Sequence, residues 1–132
     1  TCYKISAPEI TVRLWGKVFW RAGQEKYEKH ELSHKAHDVA AAKKYDSLIE
    51  GWRNKCITFK CCEAKRKYSE VFQNYVIAEA KLQDARIDFE DYPFKYIEET
   101  SKRYGKAYHD FWITEDAEKI AAVNMRTACG SQ

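Results

Sequence analysis

Glycine and proline are scarce, with five Gly and two Pro in 132 residues. Sandwiches and barrels place these residues in their many turns, so the shortage disfavours all-β architectures and points to helices. Between Trp52 and Tyr92 neither occurs, and nothing there forces a helix to stop. Long apolar runs are missing too, none approaching the ~20 residues that cross a bilayer. Charge of one sign is not in surplus. Twenty-three basic and 20 acidic residues leave a net +3, too balanced to draw nucleic acid by bulk attraction. There is no CxxC spacing, which disfavours a zinc knuckle. There is no Gly-rich phosphate loop, and no Ser or Cys stands in an interpretable relation to a His for nucleophilic catalysis. A signal-peptide pattern is also lacking, although Thr1 is compatible with a mature terminus.

What the chain does have is aromatic side chains. They make up 14% of it, including four Trp and nine Tyr. Packing in a core accounts for most of them. The surplus suits a contact surface, because such rings cover large areas. The apolar fraction of 45% is ordinary for a folded domain. The length predicts one helical domain, residues 1–132, with no repeat, low-complexity tract or linker.

The stretch from Asp38 to Arg86 organises the rest. Tyr45, Leu48, Ile49, Trp52, Cys56 and Phe59 recur at steps of three and four, one helical stripe. Tyr68, Val71, Phe72, Tyr75, Val76 and Leu82 form a second stripe, rotated away from the first if the helix is unbroken. The stretch is therefore either one rod with different neighbours on different faces, or two helices broken between Lys60 and Lys67. The rod is the preferred expectation.

Around it, residues 1–9 read as an extended arm containing Pro8. A first helix is predicted from about Glu9 to about Leu32, with Ile10, Leu14, Trp15, Val18, Phe19 and Ala22 on one face. Trp20 and Tyr27 lie off that face and are candidates for contact with a partner or membrane surface, unless the buried arc is wider. The His-rich Ser33–Asp38 segment reads as a polar break, with Ser33 or Asp38 capping the next helix. Asp91 is the expected N-cap of a third helix from Pro93 to Trp112. Phe94, Ile97, Tyr104, Tyr108, Phe111 and Trp112 line one side of it. Thr114 is expected to cap a short fourth helix that Gly130 closes. The predicted fold is all-α, an up-down bundle of three long amphipathic helices plus a short C-terminal one.

Three groups of residues could carry function. His30-Glu31-Leu32-Ser33-His34 matches H-E-x-x-H, in which two His one turn apart hold zinc and the Glu acts as base. Its flanking charges favour a solvated polar turn over a zinc peptidase, and a third ligand would have to be His109 or a carboxylate. No metal, cofactor or catalytic residue is therefore expected. Asp88, Glu90 and Asp91 fit no EF-hand and read as helix capping. Basic residues cluster at Lys65, Arg66 and Lys67 and at Lys102, Arg103 and Lys106. Beside aromatics, such strips suit an anionic surface, although a solvated helix face is the plainer account of them. The five cysteines, Cys2, Cys56, Cys61, Cys62 and Cys129, are an odd set. The terminal pair looks like staples, with Cys2 and Cys129 each bonded to one of the middle three or to each other and one thiol left over. Five reduced thiols are the alternative.

Several segments resemble abalone sperm lysin and its acrosomal relatives. Lys67-Tyr68 through Asn74-Tyr75 is similar to that family's run of a basic pair, Tyr, then Asn-Tyr on its long helix. Asp91-Tyr92, Lys102-Arg103 and Ala107-Tyr108-His109-Asp110-Phe111 resemble its third helix, and Pro8 sits similarly before the first. The resemblance covers about half the chain. It implies a secreted helical bundle stored in the sperm acrosome that acts in fertilization without catalysis, binding and loosening egg-envelope glycoprotein through basic tracks. The matching basic positions are Arg66, Lys67, Lys102 and Arg103. Low net charge, five cysteines and extra residues after Pro8 depart from lysin. They fit better its fusagenic acrosomal paralogue, which implies promotion of sperm–egg membrane fusion. The implied partners are egg plasma-membrane lipids or an egg-surface glycoprotein, with no nucleic acid, and a homodimer is allowed.

Overall fold

The computed structural model describes Tyr3, residues 25–52 and residues 55–130, with side chains of the first helix from Lys29 onward. The arm around Pro8, the helix face from Ile10 to Ala22, Cys2, Trp20 and the Tyr27 side chain lie outside these described residues. The described chain is all-α. Helix α1 spans Glu25–Glu50, α2 spans Phe59–Asp91, and α3 spans Ile97–Cys129 after a 3-10 turn at Phe94–Tyr96. The described residues hold no strand, only an isolated antiparallel bridge between Tyr3 and Ile57. Among them, α2 is the shared partner, packing against α1 on one side and α3 on the other.

The expected rod does not exist, and the break comes earlier than Lys60. Helix α1 ends in a tightened turn, in which Gly51 N–H donates to the Ser47 carbonyl and Trp52 N–H to the Ile49 carbonyl. Thr58 then takes an extended conformation and its hydroxyl accepts from Cys61 N–H, an N-cap that starts α2. From there α2 runs unbroken through Lys60–Lys67. The physical reason lies in the two stripes. A straight rod would point them at different neighbours, whereas a turn between them folds both onto one core. Tyr45, Ile49 and Trp52 from the first pack with Cys61, Cys62, Tyr68 and Val76, which run from the start of α2 to its middle. Ala121, Ala122 and Met125 of α3 close this cluster. Two members of the first stripe are left out of it, since Cys56 and Phe59 are exposed.

Other boundaries also move. Ser33–Asp38 is not a break but the middle of α1, where the Ser33 hydroxyl donates back to the Lys29 carbonyl. Asp91 caps nothing: it is the last residue of α2. Thr114 likewise starts no helix, because its hydroxyl donates back to the Phe111 carbonyl inside a single α3. The third and fourth helices are thus one. Gly130 ends it as expected, at φ 73°, a left-handed conformation that costs glycine least.

Cross-links tie α2 to α3. Cys61 at its start is disulfide-bonded to Cys129 at the end of α3, and Cys62 is the buried thiol left over. Cys56 is disulfide-bonded as well. Two turns further along the same interface, the buried Tyr68 hydroxyl donates to Glu118 Oε1 at 2.6 Å. Burial, and then that carboxylate, push the phenol well above its ordinary pKa.

Closing a loop of 68 residues, the Cys61–Cys129 bond restricts the unfolded chain strongly. Replacing both partners by Ser is expected to lower stability by about 3–4 kcal/mol. Urea unfolding of the double variant beside the parent measures it, and an unchanged midpoint would remove the bond from the list of supports.

Candidate metal centre and adhesive face

Helix α1 turns through 100° per residue, so His30, His34 and His37 fall on one side at steps of four and three. Helix α2 presents Asp84, Asp88 and Asp91 at the same steps of four and three. The two rows meet where α1 begins and α2 ends. His30 Nε2 lies 2.7 Å from Asp88 Oδ1, and its Nδ1 lies 3.0 Å from Asp91 Oδ2. His34 Nδ1 lies 2.8 Å from Asp84 Oδ1, while its Nε2 is 3.0 Å from Asp88 Oδ1. The two Nε2 atoms are themselves 3.0 Å apart. His37 Nδ1 joins at 2.9 Å from Asp84 Oδ1. His30 is only 7% exposed, and Tyr92 lies across its ring at 5.3 Å between centroids.

This arrangement corrects two expectations. H-E-x-x-H is neither a turn nor fully solvated, but a helical face that binds α2. Asp88 and Asp91 serve the histidines rather than a helix start. Of the two sources considered for a third ligand, the carboxylate is the one brought to the paired imidazoles. Glu31 is exposed on α1. The missed signal was the pairing of two rows, H-x3-H-x2-H with D-x3-D-x2-D, which carries meaning only once the helices are known to be neighbours.

The cluster sets three imidazoles against three carboxylates, and Asp38 adds a fourth carboxylate nearby. Burial of the His34 ring on its own lowers its affinity for protons. The Asp84 hydrogen bond and charge, joined by Asp88, overcome that, and the pKa ends above the ordinary 6.5. Asp38, in the same neighbourhood, is raised by partial burial and by the Asp84 charge.

The basic candidates do not form one strip. Lys65 is buried at 8% exposure, its ammonium 5.2 Å from the centre of the Trp52 ring. Burial and then the charge of Lys55 lower its pKa. It belongs to the core edge, because its long apolar stem covers Trp52, and too little of it is exposed to meet a partner as the sequence pattern suggested. Arg66 is exposed and pairs with Glu63. Lys67 lines an apolar groove of about 720 Å³ between α2 and α3, together with Phe59, Val71 and Ile120. Nearer the middle of the same two helices, Arg103 and Lys106 converge with Lys81, which the sequence pattern did not single out, around a hollow of about 430 Å³. Lys102 and Arg103 also pair with Glu98 and Glu99 one turn back.

The aromatics of α3 divide. Tyr104 meets Phe89 edge-on and Phe111 packs beside Tyr75, so both face inward. Tyr108 and Trp112 face outward with ring centroids 5.8 Å apart, and Trp112 is 58% exposed. Ile97, Ile113, Ile120 and Val123 are also exposed along this helix, as is Phe94 just before it. No described helix is long and apolar enough to cross a membrane. Comparison with protein-family models, curated proteins and solved structures returns no match.

A histidine whose folded pKa lies above its unfolded value adds stability that is fully present below the unfolded value. That stability disappears as pH rises through the folded one. In chelator-containing buffer, the parent is therefore expected to lose stability from about pH 6.5 upward. A His34→Gln variant should lose less over the same interval, as read from thermal midpoints. Parallel pH profiles for the two would contradict the His34–Asp84 contact.

Proposed function

We propose that the chain is a non-enzymatic gamete-interaction protein of the sperm acrosome, secreted, that promotes fusion of sperm and egg membranes by adhering to the egg plasma membrane. The resemblance to the lysin family supplies the biological setting. One observation carries the physical part: the outward Tyr108–Trp112 pair on α3, with Ile113, Ile120 and Val123 also exposed and Lys102 and Lys106 on the same helix.

The mechanism asks nothing of chemistry. Aromatic rings with a polar edge settle at the boundary of headgroups and acyl chains. Lysines elsewhere on the same helix keep their ammonium groups in water, where they meet anionic headgroups at about 1 kcal/mol each near the surface. A helix that carries both lies in the plane of the interface rather than across it. The three helices run up-down in this reading. The meeting of His30 with Asp88 and of Cys61 with Cys129 supports that, since each joins the beginning of one helix to the end of the next.

A second reading, binding of egg-envelope glycoprotein, is favoured by the apolar groove beside Lys67, which has room for part of a partner.

Vesicles separate the two readings. At low salt the protein is expected to bind phosphatidylserine-containing vesicles and mix their lipids, and to release them as salt rises. Replacing Tyr108 and Trp112 by Ala should abolish mixing. Lys102→Gln with Lys106→Gln should weaken binding roughly fivefold per lysine. All four side chains are exposed, so far-ultraviolet circular dichroism should not change. A parent protein that neither binds nor mixes vesicles would reject the membrane reading. Selective capture of isolated egg-coat glycoprotein would put the second in its place.

A further inference from the structure

We infer that His30, His34 and Asp88 form a binding site for one zinc-class divalent ion that locks the start of α1 to the end of α2. The inference is independent of the adhesive reading.

Three donor atoms converge here. His30 Nε2, His34 Nε2 and Asp88 Oδ1 form a triangle with sides of 2.7, 3.0 and 3.0 Å. Such a triangle leaves room for one ion about 2.0–2.1 Å from each corner, displaced roughly 1 Å from their plane. Four-coordinate zinc holds its ligands about 3.3 Å apart, so loading spreads the corners by only a few tenths of an ångström.

The remaining ring nitrogens complete the pattern. His30 Nδ1 faces Asp91 Oδ2 and His34 Nδ1 faces Asp84 Oδ1. An N–H at Nδ1 that donates to a carboxylate fixes the tautomer, leaves Nε2 as the lone-pair donor and raises its basicity. This is how metal-binding imidazoles are ordinarily supported. Protons alone describe the same geometry poorly. With no ion, Asp88 Oδ1 can be satisfied by both Nε2 atoms only if each carries a hydrogen. Two N–H groups would then face each other across 3.0 Å.

The donor set indicates the class of ion. Two imidazoles and one carboxylate suit zinc and its first-row neighbours, and they are poor ligands for calcium, which takes six to eight oxygens. A second triad, His34, His37 and Asp84, shares His34 with the first. Asp84 Oδ1 faces Nδ1 of both histidines, which makes it their hydrogen-bond acceptor and leaves the Nε2 triangle as the binding face.

The test uses the full-length protein, stripped with chelator and titrated with zinc chloride in a calorimeter. One equivalent is expected to bind and to raise the thermal midpoint. His30→Ala and Asp88→Asn should each abolish binding. Asp91→Asn should weaken it 10- to 100-fold, whereas His37→Ala should leave it within tenfold. Cobalt(II) provides a readout on the unmutated chain, where variant folding plays no part. The expected spectrum has the visible bands of a four-coordinate nitrogen–oxygen site and no thiolate-to-cobalt charge transfer. The proposal fails if the parent binds no zinc or if a thiolate band shows Cys62 as the ligand. It also fails if His37→Ala abolishes binding while His30→Ala does not.

Discussion

The fold depends on one helix against which both of its neighbours pack. Among the described residues, α1 and α3 both pack on α2. The buried cluster that joins all three is concentrated near the α1–α2 turn, from Tyr45 to Val76, with the last turns of α3 laid over it. Beyond Val76, α2 and α1 diverge from that cluster. At its far end α2 meets α1 through imidazoles and carboxylates instead of hydrocarbon. A polar contact of this kind is directional. It holds the helix pair in one register, whereas an apolar seam tolerates slippage. It also makes that end responsive to pH and to cations in a way the buried cluster is not.

The sequence conveyed helix content and several partners but not the punctuation. Scarce glycine and proline, and apolar residues at steps of three and four, were enough for the all-α class. The turn between α1 and α2 was hidden because its signals are weak: a glycine with ordinary backbone angles, then Thr58 as a cap with no Glu or Gln three residues on. The conflict between the two stripes was visible, and a turn is how the chain resolves it. Thr114 and Asp91 misled for the opposite reason, since both residue types favour caps, yet here they sit inside or at the end of helices that tertiary packing holds straight. The His-rich segment looked solvated because only its own flanks could be seen. Its partners are about 50 to 60 residues away, and no local pattern reports a contact at that distance.

Basic and aromatic candidates sorted by environment rather than by composition. Lys65 stands in the same short run as Arg66 and Lys67, yet helical rotation points it at Trp52 while they face water. Tyr104 and Phe111 turn inward, while Tyr108 and Trp112 turn outward on the same helix. The result is a division of labour along the molecule. The core joins all three helices, the disulfide adds to the α2–α3 pair, the polar cluster holds the start of α1, and the outer side of α3 is left exposed.

Amide hydrogen exchange tests most directly whether the polar cluster holds the far end of the α1–α2 pair. In a His30→Ala variant, amides of residues 30–37 and 82–91 are expected to exchange much faster than in the parent. Those of residues 61–76, under the buried cluster and the disulfide, should keep their protection. Equal protection of the 82–91 amides in both proteins would contradict the account, because the end of α2 would then be held by something other than these imidazoles and carboxylates.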